Sequence, residues 1–197
     1  NHSHSHEYLV DLEKNEINKD IEKSIKIFRN QLGYNPIYFS YPFGEYSLNF
    51  VEIIKKKFDF AFGQHSGVID LSKNKLELPR FPINEKYGEL KRFKSIVNYI
   101  PFYYKNIFPE EKYLTDENNP PDVFVEFFPE QNNLINITCY SNENNKWRKS
   151  KIHFENTHKL KILIEEKFTT ERGRINCSLN DVEGWRWFGI QFVIKEN

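Results

Sequence analysis

The chain of 197 residues is 39% apolar and 16% aromatic, enough to fill the core of one domain or of two small ones and too much for a disordered polymer. Its 28 Lys and Arg cancel its 28 Asp and Glu, so no net field collects nucleic acid or an anionic membrane, and a neutral glycan suits such a surface. No apolar run reaches the roughly 18 residues of a membrane-spanning helix, and two cysteines, Cys139 and Cys177, are too few for a disulfide framework.

The chain opens Asn1-His2-Ser3-His4-Ser5-His6-Glu7-Tyr8-Leu9. If residues 2–6 form a helical turn, His2 and His6 project from one side with Cβ atoms about 5–6 Å apart, a span that suits two ligands of one tetrahedral ion, while His4 points elsewhere. Three histidines in six residues also suit a solvated tail or a tag remnant. Ile17, Ile21, Ile25 and Phe28 then recur at helical spacing, and Gly33 stands where a helix would end, which predicts a helix over 17–32. Pro36 leads into Ile37-Tyr38-Phe39-Ser40-Tyr41, a short aromatic strand that stops at Pro42 and Gly44 and delivers the loop Ser40-Tyr41-Pro42-Phe43-Gly44-Glu45-Tyr46. Ser47 is placed to cap a helix running to about Lys57, and 58–62 reads as a second strand. Helix alternating with strand implies a parallel α/β sheet or barrel. His65 follows in Gly63-Gln64-His65-Ser66-Gly67, then Leu78-Pro79-Arg80, then a predicted helix over 89–99.

Residues 112–122, with Asp116-Glu117-Asn118-Asn119-Pro120-Pro121, have linker composition and set the expected boundary between domains 1–111 and 123–197. Beyond it the period changes to two. Val123/Val125/Phe127, Ile135/Ile137/Cys139, Leu160/Ile162/Ile164, Ile175/Cys177/Leu179 and Phe188/Ile190/Phe192/Ile194 each put apolar residues on one face, predicting a small antiparallel β-sandwich. Cys139 and Cys177 share the inward face, and burial as two separate thiols is expected over a bridge because the sequence does not set which strands pair. The same alternation turns Trp185 and Trp187 outward as a flat apolar platform on which sugar rings stack, with Arg172, Arg174 and Asn176 expected on that face of a neighbouring strand. The plainer expectation for the two tryptophans is packing at a domain interface.

The Asn-His-Ser start, the second histidine four residues on, and the later Tyr41-Pro42-Phe43-Gly44 together resemble the polysaccharide deacetylases (carbohydrate esterase family four, NodB homology). In that family a strand end carries Asn-His-Thr/Ser-x-x-His and a later loop carries Arg-x-Pro-Tyr/Phe-Gly. The resemblance implies a partial, distorted β/α barrel followed by an accessory domain. It implies a metal-dependent hydrolase that removes acetyl groups from an N-acetylated polysaccharide, with zinc or another divalent ion held by His2 and His6. The backbone N–H of Phe43 takes the position of the oxyanion donor, and Tyr41, Pro42, Tyr46 and Arg80 line the substrate groove. The family's general acid is a late histidine, for which His65 is the remaining candidate in this domain.

The family's Asp-Asp pair, third ligand and general base, is absent from the sequence and is expected upstream of Asn1. The family's Arg falls on Ser40, a trait shared with members that act on bacterial exopolysaccharide through a Tyr-Pro-aromatic-Gly-Glu loop, and the family's habit places the protein in the cell envelope, periplasmic or secreted. Two other readings stay open: a catalytically incomplete polysaccharide-binding or scaffold protein, and a chelating tail on an unrelated globular protein.

Overall fold

A computed structural model describes residues 1–194. Helix α1 spans Lys14–Leu32, three residues longer at its start than the apolar spacing predicts, because the Glu16 carboxylate accepts the Glu13 N–H (3.2 Å) and extends the first turn. It ends as predicted at Gly33, which takes φ 82° and returns its N–H to the Arg29 carbonyl. Strand β1 (Tyr38–Ser40) pairs in parallel with β2 (Phe60–Phe62), and α2 (Leu48–Lys55) connects them, its first turn capped by Ser47, whose Oγ accepts the Phe50 N–H at 3.2 Å. Ile17 and Ile21 of α1, Phe39 of β1, Phe50 and Ile54 of α2, and Tyr41 and Phe58 form the core of this first module. Helix α3 (Leu90–Ile96) is shorter than the predicted 89–99 and buries none of its residues.

The remaining strands are β3 (Tyr104–Phe108), β4 (Tyr113–Leu114), β5 (Val123–Phe127), β6 (Thr138–Glu143), β7 (Lys146–Lys149), β8 (Lys151–Asn156), β9 (Lys159–Leu163), β10 (Arg172–Asp181) and β11 (Gly184–Ile194). They form two sheets, ordered β4-β11-β10-β6-β7 and β3-β5-β9-β8, antiparallel throughout except where β4 joins β11. Val123, Val125, Phe127, Leu160 and Ile162 of one sheet meet Cys139, Ile175, Cys177, Leu179, Phe188 and Phe192 of the other in one core, on the faces that the period-two pattern predicts. The whole is a mixed α/β fold, and no helix among the described residues is long and apolar enough to cross a membrane.

Several details differ from the sequence reading. Ile135 is 79% exposed in a 3-10 turn over Leu134–Asn136, entered through Asn133 at φ 58°, so β6 begins only at Thr138. Residues 112–122 are woven into the sheets: Lys112 is buried, Tyr113–Leu114 pairs with Val193–Ile194, and β3, which precedes them, pairs with β5. Their Asn and Pro residues make an anchored turn, in which the Asn119 side chain accepts the Phe168 N–H (3.0 Å) and donates to the Phe168 carbonyl (2.9 Å). Cys139 and Cys177 stand directly opposite each other on β6 and β10 and form a disulfide, where two separate thiols were expected.

Candidate active site

The first residues lie against the carboxyl end of β1. The Asn1 nitrogen donates to the Tyr38 carbonyl (2.8 Å), the Ser40 N–H donates to the Asn1 carbonyl (2.9 Å), and Asn1 Oδ1 accepts from Ser24 Oγ of α1 (2.9 Å). Asp20, also on α1, accepts the N–H groups of His4 (2.8 Å) and Ser5 (2.9 Å) through its two carboxylate oxygens. These bonds fix the segment from both sides, unlike a solvated tail. It is not the helical turn that the spacing suggests, because Ser3 and His6 take φ 67° and 57°. The bend nevertheless brings the two rings together, with His2 and His6 centroids 4.8 Å apart. His4 is exposed. His2 Nδ1 lies 2.7 Å from the Ser40 carbonyl, which only accepts, so Nδ1 carries the proton and the Nε2 lone pair is left for another partner.

The loop after β1 meets this pair through Phe43. Phe43 takes φ 58° and ψ 2°, a left-handed conformation that costs a non-glycine residue about 1–3 kcal/mol. Gly44 follows at φ 72°, and a Cβ there would collide with Gln64, so only glycine fits. The loop's backbone bonds among the described residues use the amides of Tyr41, Gly44 and Glu45, and not that of Phe43. The Phe43 ring stands edge-on to His6 at 4.8 Å and stacks on Tyr8 at 4.2 Å with 6° between planes.

The second module closes on this loop. Gln191 of β11 lies 3.4 Å through Nε2 from the carbonyls of both Phe43 and Gly44, and its Oε1 accepts from Arg174 Nε at 3.3 Å. Arg172 of β10 pairs with Glu45, which is only 2% exposed, and places its guanidinium 5.6 Å from the Phe43 ring centre. Burial pushes the Glu45 carboxyl up to about 7, against the opposing pull of Arg172. The sequence reading put Arg172 and Arg174 on the face beside the tryptophans. Their contact with Glu45 and Gln191 was missed, since polar alternation along β10 shows that a face is not core but not what covers it.

Other expected site residues lie elsewhere. Tyr41 and Tyr46 are buried and their phenols are pushed up by burial, the Tyr41 OH donating to the Leu76 carbonyl at 3.0 Å, and Pro42 is buried as well. These three side chains belong to the core beneath the loop, and Phe43 is the one presented. His65 is 9% exposed and lines a separate cavity of about 760 Å³ with Tyr46, Lys73, Glu77, Tyr104 and Lys112, in which neither histidine of the pair nor Phe43 takes part. Burial, helped by the Lys112 charge, pulls its imidazole down to about 4, so near neutral pH it has no proton to give as an acid. Arg80 donates its backbone N–H to the His65 carbonyl at 3.1 Å, on that same side. Trp187 stacks on Tyr99 (5.8 Å, 2°) and meets Phe81 (6.1 Å, 67°), leaving Trp185, 49% exposed, as the open indole. The expected platform of two tryptophans is therefore not formed.

As a donor set, two facing imidazoles, one with its tautomer fixed by a carbonyl, fit two positions of a divalent-metal site. No group of three His, Cys, Asp or Glu side chains gathers among the described residues.

Residues 1–58 match the family model for polysaccharide deacetylase. The deacetylase PplD of Streptococcus pyogenes, solved in complex with acetate, is similar over 48% of this chain and 42% of its own, with 19% identity and a TM-score of 0.45. The endo-beta-1,4-mannanase from Thermotoga petrophila is similar over 93% of this chain and 44% of its own, with 11% identity and a TM-score of 0.36. The chain thus spans less than half the length of either solved structure. No curated protein matches it.

Proposed function

With its first 58 residues in the polysaccharide deacetylase (NodB-homology) family, we propose that the protein removes acetyl groups from an N-acetylated polysaccharide, of the bacterial exopolysaccharide kind, in the cell envelope. The observation that carries this reading is the meeting of His2, His6 and the strained Phe43 loop at the carboxyl end of β1. His2 and His6 would hold a divalent ion, zinc for preference, as two of its ligands. The ion, when bound, supplies Lewis acidity toward water and the acetyl carbonyl. The chain's own residues do the rest: the Ser40 carbonyl keeps His2 in the ligating tautomer, and the Phe43 amide donates toward the oxyanion that develops as the acetamide is attacked. The distorted barrel and a β-sandwich that helps hold the glycan complete this reading of the fold.

Titration with Zn²⁺ or Co²⁺, together with acetate release from an N-acetylated glycan, tests the proposal. His2→Ala and His6→Ala should each abolish binding of one equivalent and any release, while His4→Ala keeps both. Equal losses for all three histidines would mean a nonspecific chelating segment. Metal should also dissociate on acidification, because a protonated imidazole cannot ligate.

A second reading, a polysaccharide-binding protein without catalysis, is favoured by Ser40 in place of the family's Arg. It predicts glycan binding with no acetate released, and binding insensitive to His2→Ala.

A further inference from the structure

We propose that Arg172 and Gln191, both contributed by the second module, are positioning residues of the deacetylase site, holding Phe43 in the conformation that aims its amide. The inference rests on the deacetylase reading and deepens it, since it makes the β10–β11 face part of the active site.

The geometry restrains each freedom of the loop separately. Gln191 Nε2, within 3.4 Å of both the Phe43 and Gly44 carbonyls, restrains the peptide plane after Phe43. Tyr8 on one side and the Arg172 guanidinium, 5.6 Å from the ring centre, restrain the direction of the Cα–Cβ bond. With that bond and the following peptide fixed relative to the preceding peptide, which the buried Pro42 anchors, φ of Phe43 is fixed, and with it the direction of its N–H. The residue has no intrinsic preference for φ 58°, so the conformation persists only because its surroundings over-determine it. Arg172 adds a second tether through Glu45, two residues further on, and Arg174 fixes the amide of Gln191 by donating to its oxygen. Apart from the Tyr8 stack, none of these contacts lies within the first module, and the Arg172–Glu45 pair links positions 127 residues apart. A packing role alone would not need a polar side chain aimed at two consecutive carbonyls of the loop.

The test uses the full-length protein, with Arg172→Gln, Arg172→Lys and Gln191→Leu, each checked for an unchanged thermal midpoint. Hydrogen exchange of the 41–46 peptide reads the loop directly, and steady-state acetate release reads its consequence. The expected result is faster exchange of 41–46 in Arg172→Gln and Gln191→Leu, a kcat lower by about 100-fold with KM within about twofold, as for a misplaced catalytic donor, and partial recovery in Arg172→Lys. Unchanged exchange in both variants, or a change in KM with kcat intact, overturns the proposal. A wild-type protein that releases no acetate while the exchange response persists overturns the deacetylase reading and leaves the loop-holding role supported.

Discussion

His65 and Glu45 are both buried, and they push the pH dependence of folding in opposite directions. The His65 imidazole falls from 6.5 to about 4 in the native state, so between these values the unfolded chain binds the extra proton. Its contribution is fully present above 6.5 and lost as pH falls toward 4. The Glu45 carboxyl rises from 4.5 to about 7, so there the native state binds the extra proton, and its contribution is fully present below 4.5 and lost as pH rises to 7. Each slope is about 1.4 kcal/mol per pH unit, and the two offset one another where they overlap. Urea unfolding in pH steps should therefore show that Glu45→Gln loses stability on acidification more steeply than the wild type, by up to about 3 kcal/mol across the window, while His65→Gln loses it as pH rises. Parallel profiles for the wild type and both variants would remove these assignments. At this scale the sequence made the histidine pair legible through its spacing, although the turn that unites the rings depends on Asp20 and on left-handed Ser3 and His6, which no local period reports.

At the scale of elements, the strongest local signals corresponded to real structure. Ile17 and Ile21 face the core from α1, Ser47 caps α2, and the alternating residues of β5, β9, β10 and β11 point into one core. What escaped is what depends on a partner. β7 is Lys-Trp-Arg-Lys and exists because it hydrogen-bonds to β6, and the two residues of β4 are a strand only beside Val193 and Ile194. Strand pairing also decides the cysteines. Cys139 faces Cys177 because β6 pairs with β10 in that register, and a one-residue slip would send the two side chains to opposite faces. The bridge joins positions 38 apart, which by loop-closure entropy contributes about 4 kcal/mol. Denaturant titration of oxidised and reduced protein should differ by about that amount, and unreduced protein unfolded in the presence of an alkylating agent should take up no label. Two labelled thiols would show that the bridge is absent.

Across the whole molecule, the contacts that matter most for function join residues that the sequence keeps far apart. The parallel sheet of the first module has only two strands, which is marginal alone in water, and its loops are closed by the second module. Gly189 of β11 packs so close to Ser66 that a Cβ would collide with it, the Tyr113 hydroxyl reaches Asp11 at 2.5 Å, Arg172 holds Glu45, and Trp187 stacks on Tyr99. A first module that depends on these contacts should not melt by itself, so calorimetry of the wild type should give one transition with equal calorimetric and van't Hoff enthalpies. Trp187→Ala removes an indole from this interface and should lower stability by about 2–4 kcal/mol, whereas Trp185→Ala, on the open side, should change it by about 0.5 kcal/mol or less. The two variants also divide the roles first imagined for a tryptophan pair: weaker glycan binding in Trp185→Ala with the melting profile kept would assign sugar contact to the open indole alone. Two separate transitions in the wild type would show that the modules fold independently, and the interface would then be too weak to hold the Phe43 loop.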